Sequence, residues 1–154
     1  MNKLCSNIYS VVDMFFKQVT ELGSLTIITA IIIFTWFYST DLALKLFIAV
    51  ASVTIISFAI KTIFPKDRPR KQKFTTLVEK IDASSFPSVH SARITVLTFW
   101  LALISTNILL QIFIIAIGVL VAYSRIYLKK HYYIDVFGGI ILGVIINLLI
   151  YYLL

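Results

Sequence analysis

The sequence predicts an all-α membrane protein, a polytopic helical bundle, and its composition is the first observation behind that prediction. The mean hydropathy is +0.96, and 60% of the 154 residues are hydrophobic whereas only 14% are charged. A soluble domain of this size is typically near half apolar and a quarter charged. The apolar excess cannot all be buried in one core, so part of the surface must face lipid.

The second observation is a series of apolar stretches that approach the roughly 20 residues a membrane-spanning helix needs. We predict about five spans, at 22–38, 42–60, 88–105, 108–127 and 136–154. Gly139 and Gly143 in the last span are four residues apart, a spacing that allows close helix packing. We expect a single domain over residues 1–154, with 22–154 forming the bundle.

The N-terminal segment has a different pattern. Apolar side chains recur at helical spacing over residues 1–21, opposite Ser10, Asp13, Lys17 and Gln18. This predicts an amphipathic helix lying in the membrane interface. The alternative is a first span packed against partners.

The polar residues are gathered into two connections, 61–87 and 125–135. With five spans, both connections fall on the same side of the membrane as the N-terminus. The net charge of +7 then indicates anionic lipid headgroups or a phosphorylated substrate. Nucleic acid is excluded as a partner because no soluble domain carries the basic residues. The oligomeric state cannot be read from the sequence.

The only two histidines, His90 and His131, both lie at this polar boundary. Asp135 follows His131 by four residues, which places the two side chains on one helix face. The carboxylate could fix the tautomer of the ring and make its other nitrogen a better nucleophile.

His90 lies at a predicted helix start, with Ser85 as a reasonable cap and Pro87 in the first turn. Free N–H groups and the helix dipole at such a start attract phosphate. His90 would then be placed to protonate a leaving oxygen.

Three cations sit at the ends of these elements: Lys61, Arg68 and Arg125. Arginine binds phosphate oxygens bidentately, and lysine supplies a point charge. Taken singly, each is also explained as an interfacial cation on lipid headgroups.

In order, the motifs are Lys61-x6-Arg68-Pro69, Pro87-Ser88-x-His90 and Ser124-Arg125-x5-His131-x3-Asp135. This combination resembles the three-part signature of the type 2 phosphatidic acid phosphatase (PAP2) and vanadium haloperoxidase superfamily. The resemblance runs from about residue 22 to residue 154. It implies a helical bundle and a lipid phosphatase that works through a phosphohistidine, without metal or cofactor.

Carried over by position, the resemblance implies that His131 is the nucleophile, oriented by Asp135, and that His90 is the general acid. The phosphate-binding groups it implies are Lys61, Arg68, Arg125, Ser88 and the backbone N–H of Val89. The sequence has no cluster of ligand-type residues at metal-binding spacing.

Val89 departs from the family pattern, which usually has glycine at this position. Valine keeps the N–H but not access to positive φ, and its branched side chain can crowd a phosphate. If the helix has already begun at this point, the change is mild. The alternative function is therefore a catalytically weak or inactive lipid-binding protein. A haloperoxidase is disfavoured because those relatives are soluble.

Substrate and orientation are expected only from the resemblance. Candidate lipids are phosphatidylglycerophosphate, phosphatidic acid, undecaprenyl pyrophosphate and lipid A.

Of the 14 Lys and Arg residues, only Lys45 lies away from the site, so the positive-inside rule favours a cytoplasmic site. Resembling bacterial enzymes mostly present the site outward, and phosphate binding explains several of the cations. We expect a multi-pass protein of the cell membrane with its site at the periplasmic or outer face.

Overall fold

Residues 3–69 and 84–154 are described by the computed structural model, and over these ranges they form six α-helices and no strand. The helices are α1 Lys3–Glu21, α2 Leu25–Trp36, α3 Thr40–Ile63, α4 Val89–Ile104, α5 Ile108–Tyr127 and α6 Tyr133–Leu153. All three prolines, Pro65, Pro69 and Pro87, lie between α3 and α4, where they interrupt no helix. The predicted all-α bundle is confirmed.

Short polar side chains begin four of these helices. The Ser24, Ser39 and Ser88 hydroxyls and the Asn107 side-chain oxygen each accept a hydrogen bond from a backbone N–H in the first turn. These residues satisfy N–H groups that the helix itself leaves without partners. The predicted cap at Ser85 is wrong: the cap of α4 is Ser88, and Ser85 has other partners described below.

Three helices, α3, α5 and α6, are long and apolar enough to cross a bilayer. Ile8–Glu21 and α2 form a pair bent by 48°, which would count as a fourth span. The predicted span at 22–38 contains only 12 helical residues, because the turn through Gly23 ends α1 and Ser24 starts a new helix. The apolar helix α4 has 16 residues. Within residues 3–69 and 84–154, length and composition thus give three or four spans where about five were predicted.

Helix α4 is the centre of the bundle, packed against α3, α5 and α6. Its closest approach is to α6: a Cβ on Gly139 would lie 2.3 Å from the Ser88 carbonyl oxygen, and one on Gly143 would lie 2.8 Å from the Ala92 carbonyl oxygen. The close packing predicted from the glycine spacing is confirmed. It brings the start of α4 against the start of α6.

Helix α1 packs against α5. The ring of Phe16 stacks on Tyr127 with centroids 4.2 Å apart and meets the edge of Tyr123 at 5.8 Å. The apolar face of the amphipathic helix therefore contacts the bundle. Its placement in the membrane interface stays a prediction.

The two ends of the polar connection 61–87 pair with each other. The Ser85 N–H donates to the Lys66 carbonyl oxygen at 2.7 Å, and the Lys66 N–H donates to Ser84 Oγ at 3.1 Å. Residues 70–83 of this connection, like residues 1–2, lie outside the described residues. The paired ends hold the segment before α4 beside the segment after α3.

Gly139→Ala tests the close approach of α4 and α6. The added methyl group would meet backbone atoms, which cannot rotate away, so we expect a loss of stability of about 1–3 kcal/mol, typical of overpacking. Gly118→Ala is the comparison variant: the atoms nearest its Cβ are side-chain atoms of Thr98, the first at 2.9 Å, and no backbone carbonyl is among them. Thermal unfolding in detergent should show a larger drop in Tm for Gly139→Ala than for Gly118→Ala. Equal Tm values in both variants would contradict the packing argument.

Candidate active site

A cavity of about 330 Å³ opens at the end of the bundle where α3 and α5 end and α4 begins. It is lined by Thr54, Phe58, Lys61, Arg68, Val89, His90, Arg93, Arg125, Lys130 and His131. Five of these side chains are cationic, and no carboxylate is among the described residues of the lining. Such a concentration of positive charge fits an anionic ligand.

The structure brings six of the eight predicted site residues to this cavity, from all three sequence blocks. They are Lys61, Arg68, Val89, His90, Arg125 and His131. Ser88 is fully buried beside the lining, where its hydroxyl accepts from the Ser91 hydroxyl at 2.9 Å and caps α4. Asp135 is also fully buried and is not among the lining residues.

The turn after α5 fixes the spacing between Arg125 and His131. The N–H groups of Lys130 and His131 both donate to the Arg125 carbonyl oxygen, at 3.0 and 3.1 Å. Lys129 makes this turn possible with a φ of 54°, a left-handed conformation that is uncommon outside glycine. The two site residues are therefore held by one backbone turn.

The ring of His131 is oriented by a backbone carbonyl. His131 Nδ1 lies 2.7 Å from the Ser85 carbonyl oxygen but 3.9 Å from Asp135 Oδ2. A carbonyl can only accept, so Nδ1 carries the proton and Nε2 keeps its lone pair. The sequence indicated that the Asp135 carboxylate could fix the tautomer; in the structure the Ser85 carbonyl makes the short contact with Nδ1, and Asp135 contacts the Ser85 hydroxyl.

Asp135 instead holds that segment in place. It accepts hydrogen bonds from the Ser85 hydroxyl, from Lys66 Nζ at 2.6 Å and from the Tyr132 N–H at 2.8 Å. Its own carbonyl oxygen accepts from the Ser88 N–H at 2.9 Å. Ser85 thus links the carboxylate to His131, because its hydroxyl faces the aspartate and its carbonyl faces the histidine.

The charge state of His131 follows from its surroundings. Burial lowers its pKa to about 2, and the nearby positive charges of Arg125, Arg68 and Lys61 act in the same direction, against the hydrogen bond to Ser85. The imidazole of His131 is therefore neutral at physiological pH. A neutral ring with a free lone pair is the form that can attack phosphorus.

His90 is the second residue of α4 and lines the cavity near the helix N-terminus. Val89 is the first residue of the same helix. Among the described non-glycine residues, Lys129 alone has a positive φ. The backbone at Val89 therefore does not need glycine, and the departure from the family pattern is conformationally mild.

Two lining cations were missed as site residues. Arg93 Nε donates to Thr54 Oγ1 at 3.2 Å on the cavity wall; its place three residues after His90 on one helix face is the signal that could have found it. Lys130 also lines the cavity, and burial together with the charge of Arg125 lowers its pKa. No spacing indicates the direction of Lys130, because it lies in the turn after α5.

Ser85 and Lys66 were missed for a different reason. Their contacts with His131 and Asp135 join segments that are 46 and 69 residues apart, so no local spacing could reveal them. Within residues 3–69 and 84–154, no group of three or more His, Cys, Asp or Glu could hold a metal ion. Independence from metal stays a prediction.

The fold and site define a membrane-embedded helical protein with a cationic, two-histidine site. The family model of the PAP2 superfamily matches residues 42–154, which contain all three sequence motifs. The chain belongs to the PAP2 superfamily.

Named relatives agree with this assignment. The chain is 31% identical over 121 residues to the Escherichia coli (strain K12) protein YbjG, provisionally named an undecaprenyl-diphosphatase; the match covers 75% of this chain and 60% of that protein. The chain therefore spans about 60% of the length of this curated relative.

Two crystal structures have the same fold. Aquifex aeolicus LpxE matches with a TM-score of 0.78 and 25% identity, over 92% of this chain and 86% of that one. A transmembrane PAP2-type phosphatidylglycerolphosphate phosphatase from Bacillus subtilis matches with a TM-score of 0.74 and 23% identity, over 91% and 75%.

The state of His131 can be measured directly, because the chain has only two histidines. We expect ¹⁵N NMR of histidine-labelled protein to show the Nδ1–H tautomer for His131, with no protonation between roughly pH 8 and 5, since burial and cations oppose it. An unfolded histidine takes up a proton near pH 6.5, whereas the folded one does so only near pH 2. This group therefore destabilises the fold as pH falls through that interval.

Inorganic phosphate should raise the pKa of His131, because the anion offsets the cations of the cavity. His131→Asn assigns the signal and serves as the control. A ring that titrates normally near pH 6.5 without phosphate, or a protonated Nε2 with a bare Nδ1, would refute this description.

Proposed function

We propose that the chain is a membrane lipid phosphatase that hydrolyses a phosphomonoester or diphosphate through a phosphohistidine on His131. The observation that carries the proposal is the commitment of His131 Nδ1 to the Ser85 carbonyl at 2.7 Å, in a residue that lines a cavity with Lys61, Arg68 and Arg125. This leaves Nε2 as a nucleophile beside a site built for phosphate oxygens.

In the first step, the Nε2 lone pair attacks phosphorus and the bond to the lipid oxygen breaks. Lys61, Arg68 and Arg125 stabilise the charge on the non-bridging oxygens. His90 donates a proton to the leaving oxygen. A phosphate anion in the cavity favours the protonated form of His90, so substrate binding itself prepares the acid.

In the second step, water attacks the phosphohistidine. His90, now neutral, accepts a proton from the water, and the P–N bond breaks to return His131 to its neutral form. Asp135 supports both steps indirectly, because the imidazole needs a fixed orientation and Ser85 provides it. We predict that none of these steps requires a metal or a cofactor.

The substrate class is supported by the relatives and by the membrane fold. YbjG is provisionally named an undecaprenyl-diphosphatase, and the Bacillus subtilis protein is a phosphatidylglycerolphosphate phosphatase, so the two names give one lipid substrate each. Both are phosphorylated membrane lipids. We therefore place phosphatidylglycerophosphate, phosphatidic acid and undecaprenyl pyrophosphate first among the substrates to test.

Phosphate release from these lipids, presented side by side to purified protein in detergent, tests the proposal. We expect turnover of at least one lipid in the presence of EDTA and a loss of about 10³-fold or more in His131→Ala, because the nucleophile is gone. His131→Ala should also lack acid-labile phosphate in the trapped protein. Equal phosphate release by His131→Ala and the native protein would contradict the proposed mechanism. Val89→Gly should change turnover little; activity that appears only in that variant favours the lipid-binding alternative.

We also propose that the site faces the periplasmic or outer side of the cell membrane. Lys129→Cys and Asp41→Cys, each in a Cys5→Ser background, mark opposite ends of the bundle; Lys129 is exposed near the site and the Asp41 side chain is 72% exposed. On intact cells, a membrane-impermeant maleimide should label Lys129→Cys only. The reverse labelling pattern places the site in the cytoplasm.

A further inference from the structure

The N-terminal helix contributes to the site although it precedes the region matched to the family, which begins at residue 42. Arg125 Nη1 donates to Thr20 Oγ1 at 2.8 Å across 105 residues of sequence. Thr20 is only 2% exposed and Arg125 only 4%. A buried guanidinium held by a hydroxyl has its orientation restricted more strongly than a solvated one.

We propose that Thr20 is a positioning residue for Arg125: its hydroxyl fixes the guanidinium at the wall of the phosphate cavity. The inference rests on the proposed function, because it takes Arg125 as a phosphate ligand. Thr20 does not line that cavity, so its effect on the anion passes through the arginine.

A second cavity shows why the guanidinium needs this restraint. It has a volume of about 720 Å³ and is lined by Asp13, Lys17, Thr20, Glu21, Tyr127, Leu128, Lys129 and Lys130. Thr20 lines this cavity, Arg125 lines the phosphate cavity, and Lys130 lines both. The hydrogen bond between Thr20 and Arg125 therefore crosses the wall between the two spaces.

The second cavity also contains competing partners for an arginine. Its lining includes the carboxylates of Glu21 and of Asp13, which pairs with Lys17, and a carboxylate that reached the guanidinium would bind it bidentately. A threonine hydroxyl is a neutral acceptor, so it orients the side chain without adding a negative charge.

Other contacts fix the position of Thr20. Phe16, one turn earlier, stacks on Tyr127 at 4.2 Å. After the helix, a Cβ on Gly23 would lie 3.1 Å from Val121 Cγ1 and 3.3 Å from the His90 carbonyl oxygen. The N-terminal segment thus packs closely on both sides of Thr20, which makes the hydroxyl a fixed reference point for Arg125.

Thr20→Val tests the proposal, since it removes the hydroxyl and keeps the shape. The readout is the Kd of inorganic phosphate for the full-length protein in detergent, from calorimetry or phosphate-induced shifts in Tm. We expect roughly tenfold weaker binding, as for a lost hydrogen bond to a charged group. Thr20→Ser should restore the affinity. Thr20→Ala gives a second variant without the hydroxyl.

Thr35→Val is the matched control, because Thr35 is also buried and donates its hydroxyl hydrogen bond to the Ile31 carbonyl of its own helix. It should leave the phosphate Kd unchanged. A merely structural role for Thr20 would lower the Tm without changing the Kd, or would not be rescued by serine. Either result overturns the inference.

The coupling to Arg125 is tested in an Arg125→Lys background. If Thr20 acts through the guanidinium, Thr20→Val should weaken phosphate binding in the native background but add little to Arg125→Lys. Equal losses in both backgrounds overturn the inference. Phosphate binding without turnover of any lipid overturns only the proposed function, whereas unchanged binding in Thr20→Val with normal turnover overturns only the role of Thr20.

Discussion

The site depends on the hydrogen bonds that the buried carboxylate of Asp135 accepts. A fully buried charge is costly unless it is paired and hydrogen-bonded, and Asp135 obtains its partners from three separate segments: Lys66 after α3, Ser85 before α4 and Tyr132 at the start of α6. Satisfying one carboxylate therefore forces these segments together. The orientation of the His131 ring follows, because Ser85 then presents its carbonyl to Nδ1.

The close approach of α4 and α6 supports the same arrangement. Gly139 lies against the Ser88 carbonyl, and the Ser88 N–H donates to the Asp135 carbonyl oxygen at 2.9 Å. A bulkier residue at position 139 would separate the start of α4, which carries His90, from the start of α6. The packing of α4 against α6 and the geometry of the site are thus linked through backbone contacts.

The sequence was sufficient for whatever depends on residue type and local spacing. Apolar runs and a low charge content predicted the all-α membrane bundle, and two histidines beside basic residues predicted the cluster that lines the cavity. The sequence was insufficient where a residue's partner is distant. Ser85 was read as a helix cap because serine commonly has that role, but its hydroxyl and carbonyl are used by Asp135 and His131.

The first two helices show a second limit. The sequence predicted a boundary between residues 21 and 22, and α1 ends at Glu21, but the pattern does not reveal the angle of 48° between the two helices. The turn forms because Gly23 can lie against the His90 backbone, a contact that no pattern within residues 1–40 encodes. The same turn places Thr20 beside Arg125, so the break in the helix and the contact with the site have one origin.

The distribution of charge around the cavity explains how so many cations coexist there. Like charges in a partly buried space repel one another and oppose folding. Arg125 and Arg93 donate to the hydroxyls of Thr20 and Thr54, which orient the guanidinium groups without adding a negative charge. The nearby carboxylate, Asp135, is directed behind the histidine toward Lys66. Among the described residues the lining of the cavity is cationic, and an anion bound there would offset this repulsion.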